Sequence, residues 1–275
     1  MPEKIKNLIL ESGLSDVAFG VTDANGVVLE YGNPISVYRI ASVTKILTSL
    51  CVLLAVSEGA ITLQDEIGVN GAKLFHLLSH TSGISFDTEK IVLAPPETRR
   101  IYSNAGIEIA AGYVEQAVSA DLSSYMQKHL LDPLAMKSTY VDGSYAKDGI
   151  SVLHDLLNLA QELLGQKLLP NLVHDGISQV CCPGLAGVLP GFGRQNPCDF
   201  SLGAEIKGSK SPHWTGANNS PGTFGHFGQS GCFIWVDRSA GLACVYLGKD
   251  SFGEVHKKLW PHLSDLVLSI SGDRG

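Results

Sequence analysis

The sequence predicts an α+β protein: one antiparallel sheet built from both chain ends, flanked by the two terminal helices, with an all-helical domain inserted between. Three observations carry this. Alternating apolar residues at 16–22 and 26–31 surround Asp23-Ala24-Asn25-Gly26, the pattern of a hairpin with its turn. Three further strand-like runs, 199–206, 231–237 and 241–247, lie in the last third of the chain. Between these two regions, from residue 59 to about 170, the apolar spacing is mostly helical. The 275 residues suffice for one large domain or two intimate ones. The expected division is discontinuous: 1–50 plus 180–275 form the α/β part and 51–179 the helical part. The cleft between them is the expected ligand site.

Residues 3–12 read as an amphipathic helix with Ile5, Leu8 and Ile9 on one face. Asn33-Pro34 breaks the pattern after the hairpin. The next helix starts near Ser42 and runs through Ile46–Val56, apolar on nearly every side, which predicts burial. Gly59 is its expected C-terminal cap. Helical period returns at 72–79, 104–118, 121–131 and 151–164. Gly and Pro then punctuate the chain at Cys182-Pro183-Gly184, Pro190-Gly191 and Gly193. Lys207 to Thr223 is polar, contains an isolated Trp214, and reads as a long surface loop over the cleft. Asp237-Arg238-Ser239-Ala240-Gly241 is the turn between the last two strands, and 252–270 reads as a closing helix.

Net charge is −7 and no basic run is present, which argues against nucleic acid or an anionic membrane surface as partner. Met1-Pro2-Glu3-Lys4-Ile5-Lys6 lacks the apolar core and cleavage site of a signal peptide. The longest apolar stretch, within 46–56, is too short to span a bilayer. The expectation is a soluble cytoplasmic protein acting on a small molecule. The six cysteines (Cys51, Cys181, Cys182, Cys198, Cys232 and Cys244) include no CxxC pair and read as free thiols in or near the core. Cys181, Cys182 and Cys198 with a histidine match no zinc spacing, so neither a metal nor an organic cofactor is expected.

Residues 39–45 read Arg-Ile-Ala-Ser-Val-Thr-Lys. Residues three apart share a helical face, so the Lys45 ammonium can sit beside the Ser42 hydroxyl. Serine is a weak nucleophile without a base to take its proton. A lysine whose pKa is lowered by burial can be that base, and a helix N-terminus favours a developing oxyanion. Alone, Ser-x-x-Lys is more often an N-cap serine followed by a solvated lysine. Tyr102-Ser103-Asn104 precedes the helix at 104–118. A tyrosine serves as a base only if a cation lowers its pKa, while Asn104 offers an amide to a substrate or to Lys45. The plain alternative is an aromatic residue and a capping Ser/Asn. His226-Phe227-Gly228-Gln229-Ser230-Gly231 heads the apolar run 232–236, where glycines allow close approach of a ligand or backbone. The plain alternative there is a turn with a surface histidine.

In this order, Ser-x-x-Lys, Tyr-x-Asn and His-x-Gly resemble the serine β-lactamase and penicillin-binding protein superfamily, in its class C-related branch. Leu74-Phe75-His76-Leu77-Leu78-Ser79-His80-Thr81-Ser82-Gly83-Ile84, Tyr102-Ser103-Asn104-Ala105-Gly106, and Asp132-Pro133-Leu134-Ala135-Met136-Lys137-Ser138-Thr139 are similar to further family stretches, as is Ser151 to Leu164. The resemblance covers residues from about 15 to 250 and implies a β-lactamase/transpeptidase-like fold. It implies Ser42 as acyl-accepting nucleophile, Lys45 as its partner, and Tyr102 as general base or proton shuttle. It places Asn104, His226, Gly228 and Gln229 at the substrate, with the backbone N–H groups of Ser42 and Gln229 as the oxyanion hole. The chain departs from the family where Lys-Thr-Gly is replaced by His226-Phe227-Gly228, which weakens capture of a substrate carboxylate. The expected function is that of a serine hydrolase forming an acyl-enzyme on an ester, amide or lactam carbonyl. A true β-lactamase or D-Ala-D-Ala carboxypeptidase is the alternative within that class. A penicillin-binding sensor or non-catalytic binding module is the alternative outside it.

Overall fold

The computed structural model describes residues 2–67 and 69–272. Helix α1 (Pro2–Glu11) leads into the hairpin of β1 (Ala18–Asp23) and β2 (Gly26–Tyr31). Its turn is fixed by the Asp23 carboxylate, which accepts from the N–H groups of Asn25 and Gly26 at 2.8 and 3.2 Å. Strand β3 (Tyr38–Ala41) feeds helix α2 (Thr44–Ser57), followed by α3 (Leu74–Leu78), α4 (Asn104–Val118) and α5 (Leu122–Met126). Then come β4 (Tyr140–Val141), β5 (Gly149–Ser151), α6 (Leu153–Gly165) and α7 (Asn171–Ser178). The last third holds β6 (Gly187–Leu189), β7 (Gly193–Gln195), β8 (Glu205–Ile206), β9 (Phe224–Gly228), β10 (Cys232–Asp237), β11 (Leu242–Leu247) and α8 (Glu254–Gly272). Among the described residues no helix is long and apolar enough to cross a membrane.

The main sheet has the order β2-β1-β11-β10-β9-β8 and is antiparallel throughout. It is built from both chain ends, with Phe19 of β1 opposite Tyr246 of β11. Side chains alternate between its faces. Phe19, Val21, Phe233, Trp235 and Tyr246 pack with Ile5 and Ile9 of α1 and Trp260 of α8. Ala18, Ile234, Val236 and Val245 turn the other way, onto Leu153, Leu156 and Leu157 of α6. Gly20 lets α6 lie close on the sheet, since a Cβ there would stand 2.7 Å from Leu157 Cδ1. With both faces covered, β10 and β11 are buried along their whole length and read as apolar runs rather than alternating ones.

Every residue of α2 from Thr44 to Ala55 is buried. Each large aliphatic side chain there gains about 1.5–3 kcal/mol from burial, so packing rather than propensity holds this helix and carries Lys45 inside with it. Helix α7 was not legible from periodicity because Gly176 interrupts it. That glycine lets α7 approach α2, as a Cβ would come within 2.8 Å of Leu53 Cδ2.

The strand expected at 199–206 narrows to Glu205–Ile206. Ser201 N–H turns back to Ala204 O and Gly203 takes φ +110°, so the chain bends there instead of extending. The tract 207–223 is irregular, as a loop should be, and Ser211, Pro212, Ala217 and Asn218 are at the surface, but part of it is buried. Trp214 is 1% exposed, and Lys210, His213, Asn219 and Thr223 are also buried. Two buried carboxylates hold it. Asp237 accepts from Ser220 N–H and Oγ and from Thr223 Oγ1, at 2.7, 2.7 and 2.9 Å. Glu205 accepts from Lys210 Nζ at 2.7 Å and His213 Nε2 at 2.8 Å, and from the Trp214 indole N–H.

Candidate active site

The site begins at a strained turn. Strand β3 ends at Ala41 with φ +40°, a left-handed conformation that costs an alanine about 1–2 kcal/mol. Neighbours fix it. Thr44 Oγ1 donates to Ala41 O at 2.5 Å and accepts from Gly149 N–H of β5 at 2.9 Å. Ser42 therefore stands just before the first helical residue, Thr44, partly exposed, while Lys45 is 0% exposed.

The turn after β9 is brought against this point because residue 228 is a glycine. A Cβ on Gly228 would lie 2.7 Å from both Cys232 Sγ and Ile40 O. Ser230 Oγ donates to Arg39 O at 2.6 Å and ties the two segments together. Gly228 thus sets the spacing between the segments and is not a wall of the cavity, whereas Gln229 lines it beside Ser42. Among the described residues, none of the turn, loop and cap hydrogen bonds is donated by the N–H of Ser42 or of Gln229.

Lys45 Nζ lies 2.7 Å from Asn104 Oδ1, 2.8 Å from Ala146 O and 3.3 Å from Ser42 Oγ. Asn104 opens α4, and its amide N–H donates to Asp87 Oδ1 at 3.2 Å. Ala146 is held by Glu108, one turn along α4, whose Oε1 accepts from Ala146 N–H at 3.0 Å and from the Ser144 hydroxyl. Burial disfavours the charged ammonium and draws Lys45 down to about 7; the carboxylates of Glu108 and Asp87 offset only part of this.

The Tyr102 hydroxyl is 3.2 Å from His226 Nε2, and its ring lies 4.7 Å from Lys45 Nζ. His226 Nδ1 donates to Phe227 O at 2.7 Å. In the neutral ring this leaves Nε2 as an acceptor for the tyrosine O–H. Burial, with the nearby Lys45 charge, lowers His226 to about 4. Burial raises Tyr102 above its ordinary value, opposed by a hydrogen bond with Ser42. The cost of burying a phenolate exceeds what the neighbouring groups return, so the condition under which a tyrosine serves as a base, a pKa lowered by a cation, is not met at Tyr102. His80 packs 4.5 Å from the Tyr102 ring and accepts the Ser103 N–H on Nδ1 at 3.2 Å.

Ser42, Tyr102, His226 and Gln229 border a cavity of about 90 Å³, whose apolar walls include Phe86, Phe200 and Phe227. It adjoins a groove of about 730 Å³ with which it shares Phe86, Tyr102 and Pro190; Arg99 and Arg194 line that groove. Glu205 also reaches the cavity, but Lys210, His213 and Trp214 occupy its oxygens. Trp214 does not line the cavity; it sits behind Phe227, with ring centres 5.8 Å apart.

All seven residues singled out in the sequence thus gather at one place, with Lys45 and Asn104 behind Ser42 and Gly228 beneath. Sequence reasoning missed Ala146, Glu108, Asp87, Phe86 and Phe200. Ala146 contributes only a carbonyl, which no side-chain pattern marks. Glu108 had a signal: it lies four residues after Asn104, on the same helical face.

A sequence profile of the β-lactamase family matches residues 3–268. The chain belongs to the β-lactamase family. Among solved structures, this β-lactamase-family chain is 40% identical to a β-lactamase from Mycobacterium bovis, with a TM-score of 0.94 over 97% of this chain and 99% of that one. Its fold is shared by a penicillin-binding protein homologue from Pyrococcus abyssi, at 17% identity and TM-score 0.80, covering 97% of this chain and 77% of that one. Unliganded simvastatin synthase from Aspergillus terreus also shares the fold, at 16% identity and TM-score 0.78, covering 98% and 97%. No curated protein matches this family member significantly.

Proposed function

We propose that the chain is a serine acyl hydrolase that forms an acyl-enzyme on Ser42 with small, neutral esters. One observation carries this reading: Lys45 Nζ has two fixed acceptors, Asn104 Oδ1 and Ala146 O, and one hydroxyl neighbour, Ser42. A neutral amine has two N–H groups and one lone pair. With both N–H groups committed to those acceptors, the lone pair is left for the Ser42 O–H, and a pKa near 7 makes the neutral form available.

In the proposed sequence Lys45 takes the Ser42 proton as Oγ attacks the carbonyl. The Ser42 and Gln229 N–H groups receive the oxyanion, which donors of this kind stabilise by roughly 3–4 kcal/mol each. Tyr102 stays a phenol and carries a proton between Lys45 and the leaving oxygen, steadied by His226 Nε2. Water then occupies the leaving-group position, and the same transfers run in reverse to release the acid.

The cavity size favours a small acyl group. The cavity beside Ser42, about 90 Å³, is far smaller than the adjoining groove of about 730 Å³. The leaving portion would extend into the adjoining groove. A β-lactam is the second reading, favoured by the 40% identical β-lactamase from Mycobacterium bovis. Against it, His226 is held neutral and Lys210 is paired with Glu205, so a substrate carboxylate would meet little positive charge at the third motif.

Intact-mass analysis after a fluorophosphonate pulse tests the reading. One adduct is expected on wild type and none on Ser42→Ala. Short-chain nitrophenyl esters are expected to turn over faster than a chromogenic cephalosporin. Fast cephalosporin turnover without esterase activity would replace the ester reading with the β-lactam one. An acyl adduct that never clears would indicate a sensor, and no adduct with any acyl probe a binding module.

A further inference from the structure

Cys181 and Cys182 are adjacent, both partly exposed, with their sulfurs 3.7 Å apart. In a strand, successive carbonyls and successive side chains point opposite ways. Here both carbonyls converge on one group: Arg100 Nη2 donates to Cys181 O and to Cys182 O, each at 2.9 Å. The left-handed conformation of Cys182, φ +50°, makes that convergence possible and turns the two thiols to the same side. Arg100 is itself buried and anchored, its other nitrogen donating to Ser79 O and its backbone N–H to Ala186 O at 2.9 Å. Thr81 Oγ1 adds a donor to Cys182 Sγ at 3.8 Å.

The two sulfurs are electrically unlike. A hydrogen bond from Cys181 pushes the Cys182 thiol down, helped by Thr81 and the Arg100 charge against the cost of burial. The same contact pushes Cys181 up. Cys51, Cys198, Cys232 and Cys244 are all buried, and burial raises each of their thiols. Only the adjacent pair combines access, a favoured thiolate and a second sulfur in reach, the features of a site that reacts with oxidants.

We propose that Cys181 and Cys182 form a reversible oxidation site that closes a disulfide between adjacent residues on meeting a peroxide. The Cys182 thiolate attacks one peroxide oxygen, the O–O bond breaks, and hydroxide leaves a sulfenic acid on Cys182. The Cys181 sulfur then attacks the Cys182 sulfur, and the S–O bond breaks. The departing hydroxide takes the Cys181 proton and leaves as water. Two thiols and one hydrogen peroxide thus give one disulfide and two waters, with two electrons passing from sulfur to oxygen. The sulfurs must close from 3.7 Å to about 2.05 Å. Adjacent Cα atoms stand about 3.8 Å apart across a trans peptide, short of the usual disulfide range of about 4.4–6.8 Å. The resulting ring is strained and readily reduced by thiols.

The test treats the reduced full chain with a small excess of hydrogen peroxide, blocks remaining thiols with N-ethylmaleimide, and maps the peptides by mass. The expected result is a peptide two hydrogens lighter that contains both residues, takes no maleimide, and recovers two reactive thiols with a phosphine reductant. In Cys181→Ser, dimedone is expected to trap a sulfenic acid at Cys182 instead. The proposal is overturned if wild-type Cys182 stops at a sulfenic or sulfinic acid while Cys181 still alkylates. It is equally overturned if both thiols stay alkylatable, or if the disulfide joins two chains.

Discussion

A lysine with two fixed acceptors and one serine beside it works as a base only while it is neutral, so the proposed chemistry carries a pH signature. Ester hydrolysis, measured as kcat/KM, is expected to rise with pH along one acidic limb with an apparent pKa near 7, the value to which burial draws Lys45. A limb near 4 would move the base to His226, whose proton is lost in that range. The titratable members of this arrangement were legible in the sequence because each is a reactive side chain in a recognisable spacing. Ala146 was not, since its backbone oxygen does the work. Nor was the protonation of Tyr102, because the spacing that brings a lysine near cannot report how far burial raises a phenol.

At the scale of elements, the approach of β9 to the end of β3 decides how close Gln229 comes to Ser42 in the proposed oxyanion hole. Gly228→Ala would place a methyl 2.7 Å from Ile40 O and Cys232 Sγ. Relieving that overlap must move one strand, and overpacking of this kind costs about 1–3 kcal/mol. The variant is expected to melt lower and to lose kcat through a displaced Gln229, with Ser42 still labelled slowly by a fluorophosphonate. Full labelling speed with an unchanged melting temperature would show that the gap tolerates a methyl. Glycines also explain what the sequence concealed at this scale. Gly225 and Gly228 disguise β9 as a turn, and Gly176 hides α7, because close backbone approach replaces the apolar side chains that periodicity needs. The first hairpin, α2 and α4 were legible because their own side chains do the packing.

Across the whole molecule, the buried Lys45 sets its proposed role as a base against stability. Its folded pKa, near 7, lies below its ordinary value of 10.5, so the unfolded chain binds more protons between those limits. The ammonium therefore costs most below pH 7, and the cost is relieved as pH rises toward 10.5. Lys45→Met removes that titration. The stability of wild type relative to Lys45→Met is expected to rise by about 2 kcal/mol from pH 7 to pH 9, an order-of-magnitude figure. Chemical denaturation at both pH values measures it. A difference that stays flat would place the Lys45 pKa outside this window. The joining of both chain ends in one sheet was legible at this scale, because hairpin and strand patterns lie at opposite ends of a largely helical sequence. The small sheet β3-β5-β4 was not, since strands of two to four residues are too short to show a period.

The pairing of β1 with β11 has a consequence for how the molecule is made. Ala18 must wait for Leu247 before its ladder is complete, and contacts so distant in sequence slow folding. A ribosome delivers Ser42 early and Gln229 roughly 190 residues later, about ten to forty seconds on at 5–20 residues per second. During that interval the serine and its lysine exist without Gln229, the second donor of the proposed oxyanion hole. On the proposed mechanism a nascent chain is therefore inert, and competence arrives only when the last strands close over the first.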